Sequence, residues 1–314
     1  MAIEQSAAAV QVKDAFEFFR RGRMDEAERV CRAVLQRSPD DFDATHLLGV
    51  IMLWRGELES AEELLNRALT IDPTSFDAQL HRAAALRYLK RSEEALAIYT
   101  DLIARKPGFG EAYYGRACVL IDRERVADAI VDYAAAARLV PDNGDLFNDY
   151  GIALARAGRN EEAVAAYDRA IAIFPNYERA YNNRGLALYH LGRHADAMRD
   201  FDKATALDPR YTEAFYNRGA LALAERQAVV GESGEALVLE RALADFDRAL
   251  SIGPEFAELL VCRGLALRLL QRDDDARASY ERALILRPDC VEAEEGRALC
   301  QAGLGRAEAL NIRL

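Results

Sequence analysis

Apolar positions along this chain recur at helical spacing in short runs, and the runs come in pairs. Residues 178–211 show the unit clearly. Ala180, Tyr181, Leu186, Leu188 and Tyr189 mark one helix, Gly192 and Arg193 interrupt it, and Ala197, Phe201, Ala204 and Leu207 mark a second. Pro209 then ends the pair, because proline has no backbone N–H to donate and cannot extend a helix. Each helix is amphipathic and too short to hide its apolar stripe alone, so the unit requires neighbours.

The rest of the chain supplies them in one register. All eight prolines, Pro39, Pro73, Pro107, Pro141, Pro175, Pro209, Pro254 and Pro288, are spaced 34 residues apart except for one interval of 45. Twelve residues before each proline stands an alanine, among them Ala163, Ala197 and Ala242. Eight before it stands a larger core residue: Cys31, Leu65, Tyr99, Tyr133, Tyr167, Phe201, Phe246 or Tyr280. Small residues at fixed sites allow two helices to approach closely, and the ring fills the space beside them.

This register resembles the tetratricopeptide repeat (TPR) family, a helix–turn–helix repeat of 34 residues. The small residue of the family's first helix is matched by Gly49, Ala83, Ala117, Gly151, Gly185, Gly219 and Gly264. The family's early tryptophan is absent, and Tyr113, Phe147, Tyr181 and Phe215 take its place. The resemblance implies an all-α fold, a right-handed α-solenoid of antiparallel helix pairs counted as one elongated domain. Residues 1–12 form a lead-in, 13–288 eight tandem repeats, and 289–314 a capping helix and tail. The long interval places an insertion at about 227–237. Gly231 to Gly234 is expected to be a flexible joint, with Gln227 to Ser233 projecting and the second helix of the repeat starting between Ser233 and Ala236. Acceptor side chains after the prolines are expected to cap the following helices: Asp40, Thr74 and Asp142, each with an acid three residues on.

Composition narrows the function. The 41 basic and 52 acidic residues leave a net charge of −11, which argues against nucleic acid as a partner. Arginine supplies all the basic residues but four, the usage of a GC-rich bacterial coding sequence. Five cysteines without a CxxC pair read as reduced thiols. Neither a secretory leader nor an apolar run long enough to span a membrane is visible, so the expected location is cytoplasmic.

No catalytic constellation, phosphate-binding loop or metal cluster is recognisable, and no cofactor is expected. His190 and His194 read as solvated turn residues, because Gly192 lies between them. His46 and His81 stand as single residues on first-helix faces. Arg116, Arg184 and Arg218 share one position and Asp132, Asp200 and Asp245 another in the same repeats, so these are expected to pair. The first helix of each TPR lines the concave face. On it Tyr114, Asn148, Asn182, Asn183, Tyr189, Tyr216 and Asn217 form the candidate peptide groove, with the amides exposed to a ligand. The implied function is a non-enzymatic adaptor for a protein or peptide segment. Two alternatives accompany it: a substrate-guiding array working in trans with a glycosyltransferase or other enzyme, and a self-associating scaffold. Similar arrays join glycosyltransferase domains of the O-linked N-acetylglucosamine transferase type and carry an asparagine ladder. Asn183 and Asn217 match that ladder, while Leu47, His81, Gly115, Asp149 and Cys262 do not.

Overall fold

The computed structural model describes residues 12–226 and 232–302. The described residues form helices joined by short turns, with no strand among them. The helices alternate as first (A) and second (B) members of pairs. Residues 12–20 (α1) precede α2 (Met24–Arg37); α3 (Phe42–Arg55) pairs with α4 (Leu58–Ile71), α5 (Phe76–Tyr88) with α6 (Ser92–Arg105), and α7 (Gly110–Asp122) with α8 (Val126–Leu139). There follow α9 (Gly144–Arg156) with α10 (Asn160–Ile173), α11 (Glu178–His190) with α12 (His194–Leu207), α13 (Thr212–Glu225) with α14 (Glu232–Ile252), and α15 (Ala257–Leu269) with α16 (Asp273–Leu286). The last described helix is α17 (Val291–Ala302). By internal contact the chain divides into two compact units, 1–146 and 147–314. In each, a B helix packs on its own A helix and on the next one, as α12 does on α11 and α13.

The repeating residues form the core of each unit. Ala163, Ala170, Ala197 and Ala204 are all fully buried, and Tyr167 and Phe201 lie beside them with 2% exposure or less. Gly185 shows how close the helices come. A Cβ there would stand 2.6 Å from Cε1 of Phe201, so the aromatic fits only because the facing residue has no side chain. Between A and B, the turn residue adopts left-handed backbone. Glycine fills this site at 22, 56, 158 and 192, whereas Lys90, Glu124 and Gln271 adopt it with side chains.

Two local expectations are corrected. The N-caps lie one residue later than expected: the N–H groups of Ala44, Ala78 and Leu146 donate to Asp41, Ser75 and Asn143. The proline and the residue after it complete the turn, so the acceptor must follow them. In the longest repeat, α14 begins at Glu232 and runs 21 residues, seven more than α12. Residues 232–234 are therefore helix rather than joint. The lead-in up to residue 11, residues 227–231 of the projection expected at 227–233, and the tail from 303 lie outside the described residues.

Candidate functional site

Successive A helices within a unit lie side by side, and a residue on one meets the residue 35 positions later on the next. In unit 2 this offset joins amides. Nδ2 of Asn217 donates to Oδ1 of Asn182 at 2.8 Å, and Nδ2 of Asn183 to Oδ1 of Asn148 at 3.1 Å. Nδ2 of Asn182 donates to Oδ1 of Asn183 at 3.4 Å, and Nδ2 of Asn148 to Oδ1 of Asp149 at 3.3 Å. The result is one unbroken donor chain from α13 through α11 to α9, ending on a carboxylate that can only accept. Such a chain polarises in a consistent direction, each bond strengthening the next.

The ladder changes the meaning of the candidate residues. Asn148, Asn182 and Asn217 are 4%, 3% and 7% exposed, so the expectation of open amides is overturned. They face the neighbouring A helix, which approaches closely enough there to exclude water. Asn183 remains half-buried, with part of its surface open. Tyr216 is also half-buried, its ring edge-on to Phe256 at 5.1 Å and its hydroxyl bonded to the Cys262 thiol on α15. Once the excess of the long repeat is allowed for, this is the same offset between A helices. Burial raises the Tyr216 hydroxyl far above its usual range and pushes the Cys262 thiol up to about 12, so both stay neutral.

Tyr189 lies apart from the ladder, at the end of α11. Its ring is half-buried, stacked on His194 at 5.2 Å, and His194 Nδ1 lies 2.7 Å from Oε1 of Glu225. His194 is therefore tied into the fold, while His190 is exposed. Tyr114 belongs to unit 1, half-buried, its ring 6.1 Å from that of Tyr133. The structure joins Asn148, Asn182, Asn183 and Asn217 directly and leaves Tyr114, Tyr189 and Tyr216 in separate surroundings.

Unit 1 uses the same 35-residue offset for a pair not anticipated from sequence. His46 Nε2 lies 2.9 Å from His81 Nδ1. Burial lowers the pKa of His46; burial and then the His46 neighbour lower that of His81 to about 4. A bond between two imidazoles requires that one ring nitrogen lack a proton, and both depressions favour that state. The signal was available in the spacing, since 46 and 81 stand as 148 and 183 do. The same offset recurs between α5 and α7, where Arg87 Nε donates to Asp122 Oδ2 at 2.6 Å. Beside these links Trp54 is 71% and Tyr88 54% exposed, at equivalent places on α3 and α5.

The expected Arg–Asp pairs are present. Arg116, Arg184 and Arg218 each donate from Nε and Nη2 to both oxygens of Asp132, Asp200 and Asp245, at 2.6–2.9 Å. Asp132 and Asp200 are buried and Asp245 half-buried, and each guanidinium also lies 5.4–5.9 Å from the centroid of the ring three residues earlier, Tyr113, Tyr181 or Phe215. Planar, paired donors make arginine the fitting cation here.

Among the described residues, no three histidine, cysteine or carboxylate groups are placed to hold a metal. No described helix is long and apolar enough to cross a membrane.

Helix pairs, one of them lengthened, that stack through a shared alanine–aromatic register and are cross-linked between A helices define a helical repeat protein. Sequence profiles of the tetratricopeptide repeat match residues 18–87, 80–144, 151–192, 178–211 and 257–290, and the chain belongs to that family. Arrays of this family are protein–protein interaction scaffolds, the coarse function that membership supports. No curated protein matches the chain. Among solved structures, a chain of the APC/C hetero-tetramer Cut9-Hcn1 aligns with a TM-score of 0.67 and 17% identity, over 92% of this chain and 55% of that one. This chain thus spans about half the length of that relative. PilF of Pseudomonas aeruginosa aligns with a TM-score of 0.52 and 22% identity, over 84% of this chain and 99% of its own. YrrB, a TPR protein with an unusual peptide-binding site, aligns with a TM-score of 0.51 and 24% identity, over 60% of this chain and 97% of its own. At these identities the likeness is one of fold.

Proposed function

We propose that the protein is a non-enzymatic scaffold, and that unit 2 takes an extended segment of a protein partner against its A helices. One observation carries this reading: the ladder spends only part of its hydrogen-bonding capacity. Asn183 uses one donor and one acceptor of an amide that has two of each, and part of its surface is open. Its position is held from both sides by buried amides, so little conformational entropy is lost when a backbone binds it. Tyr189, on the same helix, offers a ring already held by His194, the rigid aromatic contact that interfaces favour. Asn148, Asn182 and Asn217 set the spacing of the face, and Asn183, Tyr189 and Tyr216 meet the ligand. Tyr114 offers a surface of the same kind within unit 1. A peptide site on YrrB is in keeping with such a use of the fold.

The test starts from peptides selected on the purified chain from a random display library, with affinities read by fluorescence anisotropy. The double substitution Asn183→Ala/Tyr189→Ala removes a hydrogen bond worth roughly 0.5–1.5 kcal/mol and an aromatic contact. Weakening of about tenfold or more, with an unchanged unfolding midpoint, is expected, since tenfold corresponds to about 1.4 kcal/mol. Equal binding to the double variant places the peptide elsewhere and sinks the reading.

A further inference from the structure

Between B helices, on the side of unit 2 away from the amide ladder, a cleft of about 590 Å³ opens among α12, α13 and α14. Its counterpart in unit 1, among α6, α7 and α8, measures about 390 Å³. The two are built from the same repeat positions, so the residues can be compared one for one. Leu120 in unit 1 becomes Ala222 in unit 2, and Val131 becomes Ala244. Leu120 is 4% exposed and fills its site, whereas Ala222 leaves that volume open. Leu96 becomes Met198, an unbranched side chain that adapts to what lies beside it.

The mouth changes as well. In unit 1 Arg125, the N-cap of α8, donates from Nε to Asp128 at 2.8 Å, an ion pair across the cleft edge. In unit 2 those two positions hold Val238 and Arg241. Because α14 begins at Glu232, position 238 is helix interior rather than helix start, and a valine needs no capping role there. The ion pair is gone, and an apolar residue lines the opening. Arg241 is exposed, its head in water and its stem continuing the wall.

We infer that this cleft is a second binding site, which takes an uncharged, mainly apolar small molecule. Its volume falls within the roughly 300–1,000 Å³ of small-molecule sites. Met198, Ala222, Val238 and Ala244 form apolar walls. The charged groups at its base are already satisfied. Arg218 binds both oxygens of Asp245 and one of Asp202, and Glu225 is bonded to His194. At that base a charged ligand would have to break these pairs or be desolvated without a partner, whereas an apolar one displaces only water and leaves Arg241 solvated at the mouth.

N-phenyl-1-naphthylamine, a neutral probe whose fluorescence rises in apolar surroundings, tests the site on the full chain. Saturable binding at one site per chain is expected. Ala222→Leu, which installs the unit 1 residue, should weaken it at least tenfold, with Ala244→Val weakening it less. A 1,8-substituted anionic analogue, 1-anilinonaphthalene-8-sulfonate, should bind more weakly than the neutral probe. Failure of the wild-type chain to bind the probe saturably overturns the inference. So does undiminished binding by Ala222→Leu with its helical signal intact. Should that variant not fold, undiminished binding by Ala244→Val is decisive in the same direction. Preference for the anionic probe overturns the assignment of an uncharged ligand.

Discussion

Unit 1 and unit 2 bridge their A helices at the same 35-residue offset with different chemistry. In unit 1 the bridge is His46 to His81, two imidazoles with depressed pKa values. In unit 2 it is the amide chain from Asn217 to Asp149, extended to α15 by the Tyr216–Cys262 bond. Repeat geometry dictates where a bridge must form, because water is excluded where neighbouring A helices meet and any polar group there needs a partner. The residue type dictates which conditions break it. An amide does not titrate; an imidazole does. The two units should therefore share an architecture and differ in their response to acid.

The largest expected effect breaks this difference on purpose. Both histidines have folded pKa values below the unfolded one, so between pH 6.5 and about 4 the unfolded chain binds more protons than the folded chain. Their contribution is fully present above pH 6.5 and lost as pH falls through that window. For His81, with its pKa near 4, this amounts to a loss on the order of 3 kcal/mol. Asp77 acts in the opposite sense on both rings, and the depression is what remains after that opposition. The double substitution His46→Asn/His81→Asn places the bridge chemistry of unit 2 in unit 1. Urea midpoints followed from pH 7 to pH 4 should fall less steeply in this variant than in the parent. Identical slopes would mean that the imidazole pair does not govern the acid response.

The ladder of unit 2 gives the next effect in size. Asn182 is its centre, accepting from Asn217 and donating to Asn183 while 3% exposed. Asn182→Ala strands the buried donor of Asn217, at a cost of roughly 1–3 kcal/mol. Replacing Asn148, Asn182 and Asn217 together should therefore destabilise the chain, not leave it intact as open, ligand-facing amides would allow. The loss should be the same at pH 7 and pH 5, because amides do not titrate, and denaturant midpoints at the two values check this. An Asn182→Ala chain as stable as the parent would make the ladder incidental.

These contrasts mark how far the sequence could be read. The core register was legible because Ala197 and Phe201 recur at fixed distances from a proline, and packing demands the same shapes in each repeat. The Arg184–Asp200 pairs were legible because both members appear together in some repeats and the aspartate is missing in others. Burial of Asn182 was not, since the face that looks inward on one helix is closed by its neighbour, and sequence periodicity reports one helix at a time. His46 and His81 were seen singly for the same reason. The cleft at Ala222 depends on small residues from two helices, a third helix that begins early, and the loss of an ion pair. No window of one helix contains all of these.

The smallest effect supplies the control. Both units carry an arginine at the N-cap of a B helix that grips the acid three residues on: Arg91 with Glu94 in unit 1 and Arg159 with Glu162 in unit 2. The distances are 2.6 and 2.7 Å in the first and 2.6 Å twice in the second. In each the arginine's hydrogen bond is the foremost cause that lowers the glutamate pKa. A depressed carboxylate contributes stability that is present above its ordinary value of 4.5 and lost as pH falls through its folded one, a range that begins only at the foot of the histidine window. These pairs lie in water, where screening and the entropy of two long side chains cancel most of the attraction. Arg91→Ala and Arg159→Ala should accordingly leave the midpoint at pH 7 unchanged within error and should behave alike. If one of them reshapes the stability profile between pH 6.5 and 4, the acid response of that unit is a property of its surface charge, and the contrast between imidazole and amide bridges loses its force.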